Sequence, residues 1–196
     1  MPDKTDKGFR VIFAGLGGHG ALAFGELLTE AAAKRYKHVS FVPNYAPMMR
    51  GGESEAMVAA SQEEIASPVW LEADVIIVTS PTGFRMAEKR VRPGGILIFD
   101  DSVIHDKAER KDIKVFHFPA RRIACEEGNP LSANFLLLGA CIEATKALPV
   151  EVVEETMERT SKGTSRESLL AANKRALHEG VRSIANYKEA ITGRTN

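Results

Sequence analysis

Six residues, Gly15-Leu16-Gly17-Gly18-His19-Gly20, constrain the fold of this chain more than any others. They satisfy G-x-G-x-x-G, and they follow Val11-Ile12-Phe13-Ala14, whose apolar, β-branched content suits a buried strand. After them the period changes. Ala21, Phe24, Gly25, Leu28, Ala31 and Ala32 fall at i, i+3, i+4, i+7, i+10 and i+11, which is one face of an α-helix. Strand, glycine turn and helix in that order open a βα unit. Glycines at such a turn permit positive φ and close backbone approach, and the N–H groups at the helix start attract phosphate. Gly15, Gly17, Gly18, His19 and Gly20 are therefore the first candidate ligand-binding residues. The alternative reading is a tight turn that binds nothing.

The alternation continues. Val39 to Val42 reads as a second strand ended by Pro43, Ala56 to Ala60 as another, and Val75 to Val78 as the clearest of all. Thr82 to Val91 suits a helix that stops before Pro93-Gly94-Gly95, followed by strands at Ile96 to Phe99 and Ile113 to Phe118. Beyond Pro119 the pattern is helical: Ala133 to Ala147, then Pro149 to Lys162 stopped by Gly163, then a last helix capped by Ser165. On that last helix Leu170, Leu177, Val181 and Ile184 form an apolar stripe, with Lys174, Arg175 and Lys188 expected on the solvated face. The pattern predicts an α/β, Rossmann-like fold. It has a mostly parallel sheet with helices on both faces, right-handed crossovers and a helical C-terminal third. At 196 residues the chain suits one domain, 1–196, with a strand-helix part at about 8–120 and a helical part at about 121–190.

Charge and composition exclude several classes. Lys and Arg number 26 against 26 Asp and Glu, so no long-range field gathers a polyanion and no nucleic-acid partner is expected. The longest apolar run, Phe135 to Ile142, is eight residues, well short of the ~20 a membrane span needs. No apolar leader is visible in the first ten residues, so a cytoplasmic location is expected. Two cysteines, Cys125 and Cys141, are too few for an iron-sulfur ladder and read as small core residues. Five histidines are scattered without metal-ligand spacing. Asp100-Asp101 reads as a strand-end turn with an Asx hydrogen bond, and Trp70 as core.

A site for NAD places an acidic residue about 20 positions beyond the glycines, at the end of the second strand, to hold the ribose. Between Glu30 and Glu53 this chain has no carboxylate, which argues against an ordinary NAD dehydrogenase. What that region has is Met48-Met49-Arg50-Gly51-Gly52. The planar fork of Arg50 suits phosphate or carboxylate, and in a parallel sheet the loops after strands one and two border the same crevice. Arg50, Gly51 and Gly52 form the second candidate group, against the alternative of a solvated arginine in a turn. Asn134 and Asn173 are polar groups on apolar helical stretches, where partners are required, and Asn134 is added to the candidate ligand residues.

These residues in their order resemble the gamma subunit of the 2-oxoacid:ferredoxin oxidoreductases, the pyruvate and 2-oxoglutarate synthase type. The resemblance covers nearly the whole chain. It runs through Gly15-Leu-Gly-Gly-His-Gly20, Asn44-Tyr-Ala-Pro-Met-Met-Arg-Gly-Gly52, Ile65-Ala-Ser-Pro68 and Val91-Arg-Pro-Gly-Gly95. It continues in Pro119-Ala-Arg-Arg-Ile-Ala124, Asn134-Phe-Leu-Leu-Leu-Gly139 and Asn173-Lys-Arg-Ala-Leu-His-Glu-Gly180. His19 stands where the family often has Gln, and Met49 where 2-oxoglutarate-type relatives often have Glu.

The resemblance implies a division of labour. Thiamine-binding alpha and beta subunits and a ferredoxin-like delta subunit would hold thiamine diphosphate, magnesium and the iron-sulfur clusters, decarboxylate the 2-oxoacid and reduce ferredoxin. Coenzyme A would accept the acyl group. This chain would hold none of those cofactors alone and would be inactive when isolated, contributing assembly and a candidate coenzyme A contact. The alternatives are a stand-alone Rossmann-type nucleotide-binding enzyme and a purely structural subunit.

Overall fold

The computed structural model describes residues 8–16, 20–45 and 52–192, with side chains to residue 185. Its strands are β1 (Phe9–Leu16), β2 (His38–Tyr45), β3 (Glu53–Ser61), β4 (Ala73–Val78), β5 (Val91–Asp100) and β6 (Lys114–Phe118). Its helices are α1 (Ala21–Ala32), α2 (Pro81–Arg90), α3 (Ala120–Glu126), α4 (Ala133–Thr145), α5 (Val150–Ser161) and α6 (Leu170–Thr192), with short 3-10 turns at Pro130–Ser132 and Glu167–Leu169. The strands form one sheet in the order β2-β3-β1-β4-β5-β6. Its pairs β1·β4, β4·β5 and β5·β6 are parallel, whereas β3 runs against both of its neighbours. Five strands thus share a direction, and the expected mostly parallel α/β fold with a helical C-terminal third is observed.

The apolar runs of β1 and β4 are buried on both faces, as strands between two helical layers must be. One face packs Phe13, Val58, Ile77 and Ile98 against α1, α3, α4, α5 and α6; the other packs Ile12, Ile76 and Leu97 against α2, Trp70 and Ile104. In the first layer α4 and α6 touch backbone to backbone. A Cβ at Gly139 would lie 2.0 Å from the Leu177 carbonyl oxygen, and one at Gly180 would lie 1.9 Å from that of Leu136.

In the second layer a polar hub does the holding. Glu88, 4% exposed, accepts hydrogen bonds from the Glu109 and Arg110 amides at 2.5 and 2.8 Å and faces the Arg85 guanidinium at 3.3 Å. Arg110 in turn donates to the carbonyls of Glu88 and Val91 and pairs with Asp112, whose carboxyl it holds below the usual range. The irregular chain between β5 and β6 is tied to α2 in this way.

Several local expectations need correction. Pro43 does not end β2, because β2 is the sheet's edge and a residue without an N–H is tolerated there. β5 begins at Val91 rather than Ile96, with a register shift in its pairing to β4; Arg92 pairs with Asp74 at 2.6 Å and the Gly94 amide donates to the Asp112 carbonyl. Pro149 sits one position before helix α5, which ends at Ser161. Ser165 does not cap α6, since a 3-10 turn intervenes. Lys174 faces α5, 2.5 Å from Glu158 and 3.9 Å from Glu154, so it is not on the solvated side. Cys141 is core, but Cys125 is exposed, because on short α3 the buried positions are Ala120 and Ala124.

Candidate functional site

The five co-directional strands end along one edge of the sheet, and β3 begins there. In register, Leu16 of β1 lies opposite Glu53 of β3, and Tyr45 of β2 opposite Ser54. The chain leaving β1 and the chain leaving β2 therefore emerge on either side of a single strand start. Both glycine segments arise at this point. Gly15, Gly20 and Gly52 are at this edge, while Gly17, Gly18, His19, Arg50 and Gly51 lie outside the described residues.

The described parts explain why glycine is used. A Cβ at Gly15 would lie 2.3 Å from the Thr79 hydroxyl at the end of β4, and the Gly15 carbonyl accepts from the Ser54 hydroxyl at 3.3 Å. Gly20 precedes α1 with φ 84°, a left-handed conformation that a side chain would strain. Beside it, a Cβ would come 3.2 Å from the Asn134 amide nitrogen. Asn134, in the first turn of α4, is thus brought to the glycine turn from more than a hundred residues away.

Two helices start at this edge with opposite electrostatics. α2 is capped by Ser80, whose hydroxyl accepts from the Gly83 amide, and the Glu53 carboxylate approaches its first turn. Its positive end is already answered. α1 has no side-chain cap and no acidic residue in its first turn among the described residues, so its N–H groups remain available to an anion.

The other candidates stay apart or are absorbed structurally. Asp100 accepts from the Ser102 amide and hydroxyl at 3.0 and 2.6 Å and from the Arg121 amide, the expected strand-end turn. Asp101 holds His117 Nδ1 at 2.8 Å, with the ring stacked on Phe99, and His178 pairs with Glu154. Among the described residues no three His, Cys, Asp or Glu side chains gather as a metal site. No described helix is long and apolar enough to cross a membrane. Burial pushes the Cys141 thiol up to about 12.

One feature escaped sequence reading. A cleft of about 300 Å³ opens from Gly20 between α1, the start of α4, the end of α5 and the start of α6. Phe24, Leu27, Phe135 and Met157 are among its apolar lining residues, and Asn134, Asn173, Thr160 and Arg166 among its polar ones. Phe24 and Phe135 meet edge to face at 4.8 Å. Of its polar members only Asn134 and Asn173 carried a sequence signal, a polar residue on an apolar stretch. The rest come from helices far apart in sequence.

Comparison with known proteins agrees with this geometry. Residues 10–183 match the family model for pyruvate ferredoxin/flavodoxin oxidoreductase. The 2-oxoglutarate synthase subunit KorC of Methanocaldococcus jannaschii is 31% identical over 82% of this chain and 88% of its own length. The ketoisovalerate oxidoreductase subunit VorA of Methanothermobacter marburgensis is 34% identical over 71% of this chain, which spans only 30% of that longer relative. Two solved structures share the fold. The gamma subunit of a keto/oxoacid ferredoxin oxidoreductase from Geobacter sulfurreducens superposes with a TM-score of 0.77 at 22% identity, covering 91% of this chain and 99% of that one. The 2-oxoglutarate:ferredoxin oxidoreductase of Magnetococcus marinus, solved with 2-oxoglutarate, coenzyme A and succinyl-CoA bound, gives 0.81 at 21% identity, covering 92% of this chain and 31% of that one.

Proposed function

The chain belongs to the pyruvate ferredoxin/flavodoxin oxidoreductase family as a gamma-type member, and from that premise we propose that it serves as one subunit of a cytoplasmic 2-oxoacid:ferredoxin oxidoreductase. The assembled enzyme would convert a 2-oxoacid and coenzyme A to acyl-CoA and carbon dioxide, passing two electrons to ferredoxin. Thiamine diphosphate, magnesium and iron-sulfur clusters belong to thiamine-binding alpha and beta subunits and a ferredoxin-like delta subunit. Two cysteines in the sequence cannot supply a four-thiolate cluster, which supports placing the redox groups elsewhere. This chain contributes assembly and a seat for the phosphates of coenzyme A, built from Gly15 to Gly20, Arg50 to Gly52 and Asn134.

The observation that carries this reading is the strand register at the carboxyl edge. It sets the end of β1 and the end of β2 on either side of the start of β3, near a helix start that among the described residues has no side-chain cap and no acid in its first turn, which supports the reading. The Magnetococcus marinus relative was solved with coenzyme A bound, which supplies the anion class.

A charge-assisted arginine contact is worth about 1.5–3 kcal/mol, roughly ten- to a hundredfold in binding. Arg50→Ala in the assembled complex should raise the KM for coenzyme A by about that factor. Reduction of the clusters by 2-oxoacid without coenzyme A should be unchanged. An unaltered KM in an intact complex would sink the phosphate seat.

A further inference from the structure

We propose that α5 is a strap latched by charge, able to lift from the helical layer as a unit about its amino end and so widen the cleft beside Gly20. The inference holds whatever enters that cleft, because it concerns the motion of this chain's own wall. α5 is built unlike its neighbours. α4 and α6 touch backbone to backbone, whereas α5 is seated by two buried apolar side chains one turn apart, Val153 and Met157. Its other buried residues, Thr156 and Ser161, are polar.

The polar groups of α5 divide in two. The hydroxyls of Thr156, Thr160 and Ser161 donate to the carbonyls of Val152, Thr156 and Glu158, all within α5, so they do not tie it to another helix. Among the described residues every polar tie from α5 to its neighbours joins an acidic to a basic side chain. Toward α6, Glu158 lies 2.5 Å from Lys174, and Glu154 lies 3.0 Å from His178 Nε2 and 3.9 Å from Lys174. Toward α1 and the turn after it, Glu155 lies 3.1 Å from Lys34, and Arg159 pairs with Glu30. Each set is a pair of residues four apart on α5, so one row serves each neighbour. All of these partners stand partly in solvent, where salt screens them.

The two ends of α5 are attached differently. Before it, Leu148 is buried and the Tyr36 hydroxyl donates to the Ala147 carbonyl at 3.0 Å, which fixes that end to the core. After it, Gly163 takes φ 73° and residues 162–169 are exposed throughout. A helix pinned at one end, continued at the other by an exposed link and held at its sides by screened charges swings about the pinned end. The carboxyl half of α5 contributes Met157, Thr160 and Ser161 to the lining of the cleft. The charged groups in that lining are Glu26, Glu30 and Arg166, and Glu30 is the partner of Arg159, so lifting α5 also frees a carboxylate there.

The test is native-state hydrogen exchange of the full-length chain at fixed pH in about 10 mM and about 1 M sodium chloride, between which the Debye length falls from about 30 to about 3 Å. Each exposed pair is worth a factor of roughly two to five in an opening equilibrium, so the α5 amides should exchange about tenfold faster at high salt. The α1 and α4 amides should change by less than about twofold. Oxidation of Met157 by peroxide should quicken with salt in step, while Met57, buried on the other face of the sheet, keeps its rate. Lys174→Met should speed α5 exchange at low salt and shrink the salt response, and Glu155→Gln should do the same from the α1 side. Unchanged α4 amides show in each variant that the fold is retained.

If α5 opens with the same equilibrium as α1 and α4 at both salt concentrations, the layer is one unit and the strap is overturned. Faster exchange in α5 that is indifferent to salt and to both variants describes a loose helix without a latch, and overturns it as well. A salt response shared equally by every helix is general destabilisation and counts against the inference in the same way. Salt-dependent exchange with Met157 oxidation unchanged means that α5 frays in place, and overturns the widening of the cleft.

Discussion

The two faces of the sheet are covered by different physics. On one, five helices are pressed together so closely that α4 and α6 meet at Gly139 and Gly180 without side chains between them. On the other, one helix and an irregular stretch are joined through the buried carboxylate of Glu88 and the fork of Arg110. The helical layer satisfies its backbone internally and gains from apolar area and contact. The irregular stretch has backbone donors that no secondary structure pairs, so it requires a fixed polar partner. Regular structure allows a dry layer, and its absence demands a polar one.

The largest test of that contrast is Gly180→Ala. Helix propensity alone favours alanine by up to about 1 kcal/mol. The new Cβ would fall 1.9 Å from the Leu136 carbonyl oxygen, within a crossing that cannot open without losing its packing. Overpacking should win, with a net loss of about 3 kcal/mol in urea unfolding. A stabilised variant would break the picture of a layer held by backbone contact.

Next comes Glu88→Ala. It leaves the Glu109 and Arg110 amides without their acceptor, and about 2–3 kcal/mol should be lost. Hydrogen exchange should quicken at those two amides while the α4 and α6 amides keep their protection relative to global unfolding. Uniform quickening would mean that the two faces are not distinct.

The smallest effect is a pH dependence within the dry layer. The Cys141 thiol has its pKa raised by burial from 9.0 to about 12, so the unfolded chain gives up its proton first. Its stabilising contribution is complete below pH 9 and is lost as pH rises from 9 toward 12. At pH 10 the loss is about 1.4 kcal/mol. Urea unfolding at pH 8 and pH 10 should show that fall in the native chain and lack it in Cys141→Ala. Equal slopes in the two proteins would show that the site is wetter than its packing.

Much of the architecture was legible in residues with a strict local requirement. Gly20 with its helix, the buried run Val75 to Val78 and the stops at Gly163 and Pro119 depend on φ, length and periodicity, which neighbours in sequence determine. What was not legible depends on partners. Pro43 is tolerated because β2 is an edge, and edges are set by sheet order. Val91 to Gly95 join β5 because Asp74 and Asp112 meet them from elsewhere in the chain. Lys174 turns to α5 because two glutamates wait there. The candidate site divides in the same way. The glycine motif and Asn134 announce themselves, whereas Leu27, Thr160 and Arg166 come together only as lining of the cleft between α1, the end of α5 and the start of α6.

The reversed strand β3 has a consequence for how such a chain can evolve. In a run of parallel strands each connection is a crossover, and lengthening it disturbs the helix that returns the chain. Because β3 pairs antiparallel with β2, with Tyr45 opposite Ser54 at the carboxyl edge, the connection between these two strands is not a crossover. A connection between antiparallel neighbours tolerates insertion at little entropic cost, about 0.6 kcal/mol for each doubling of length. Descendants could lengthen or shorten this connection while the registers beneath it stay as they are.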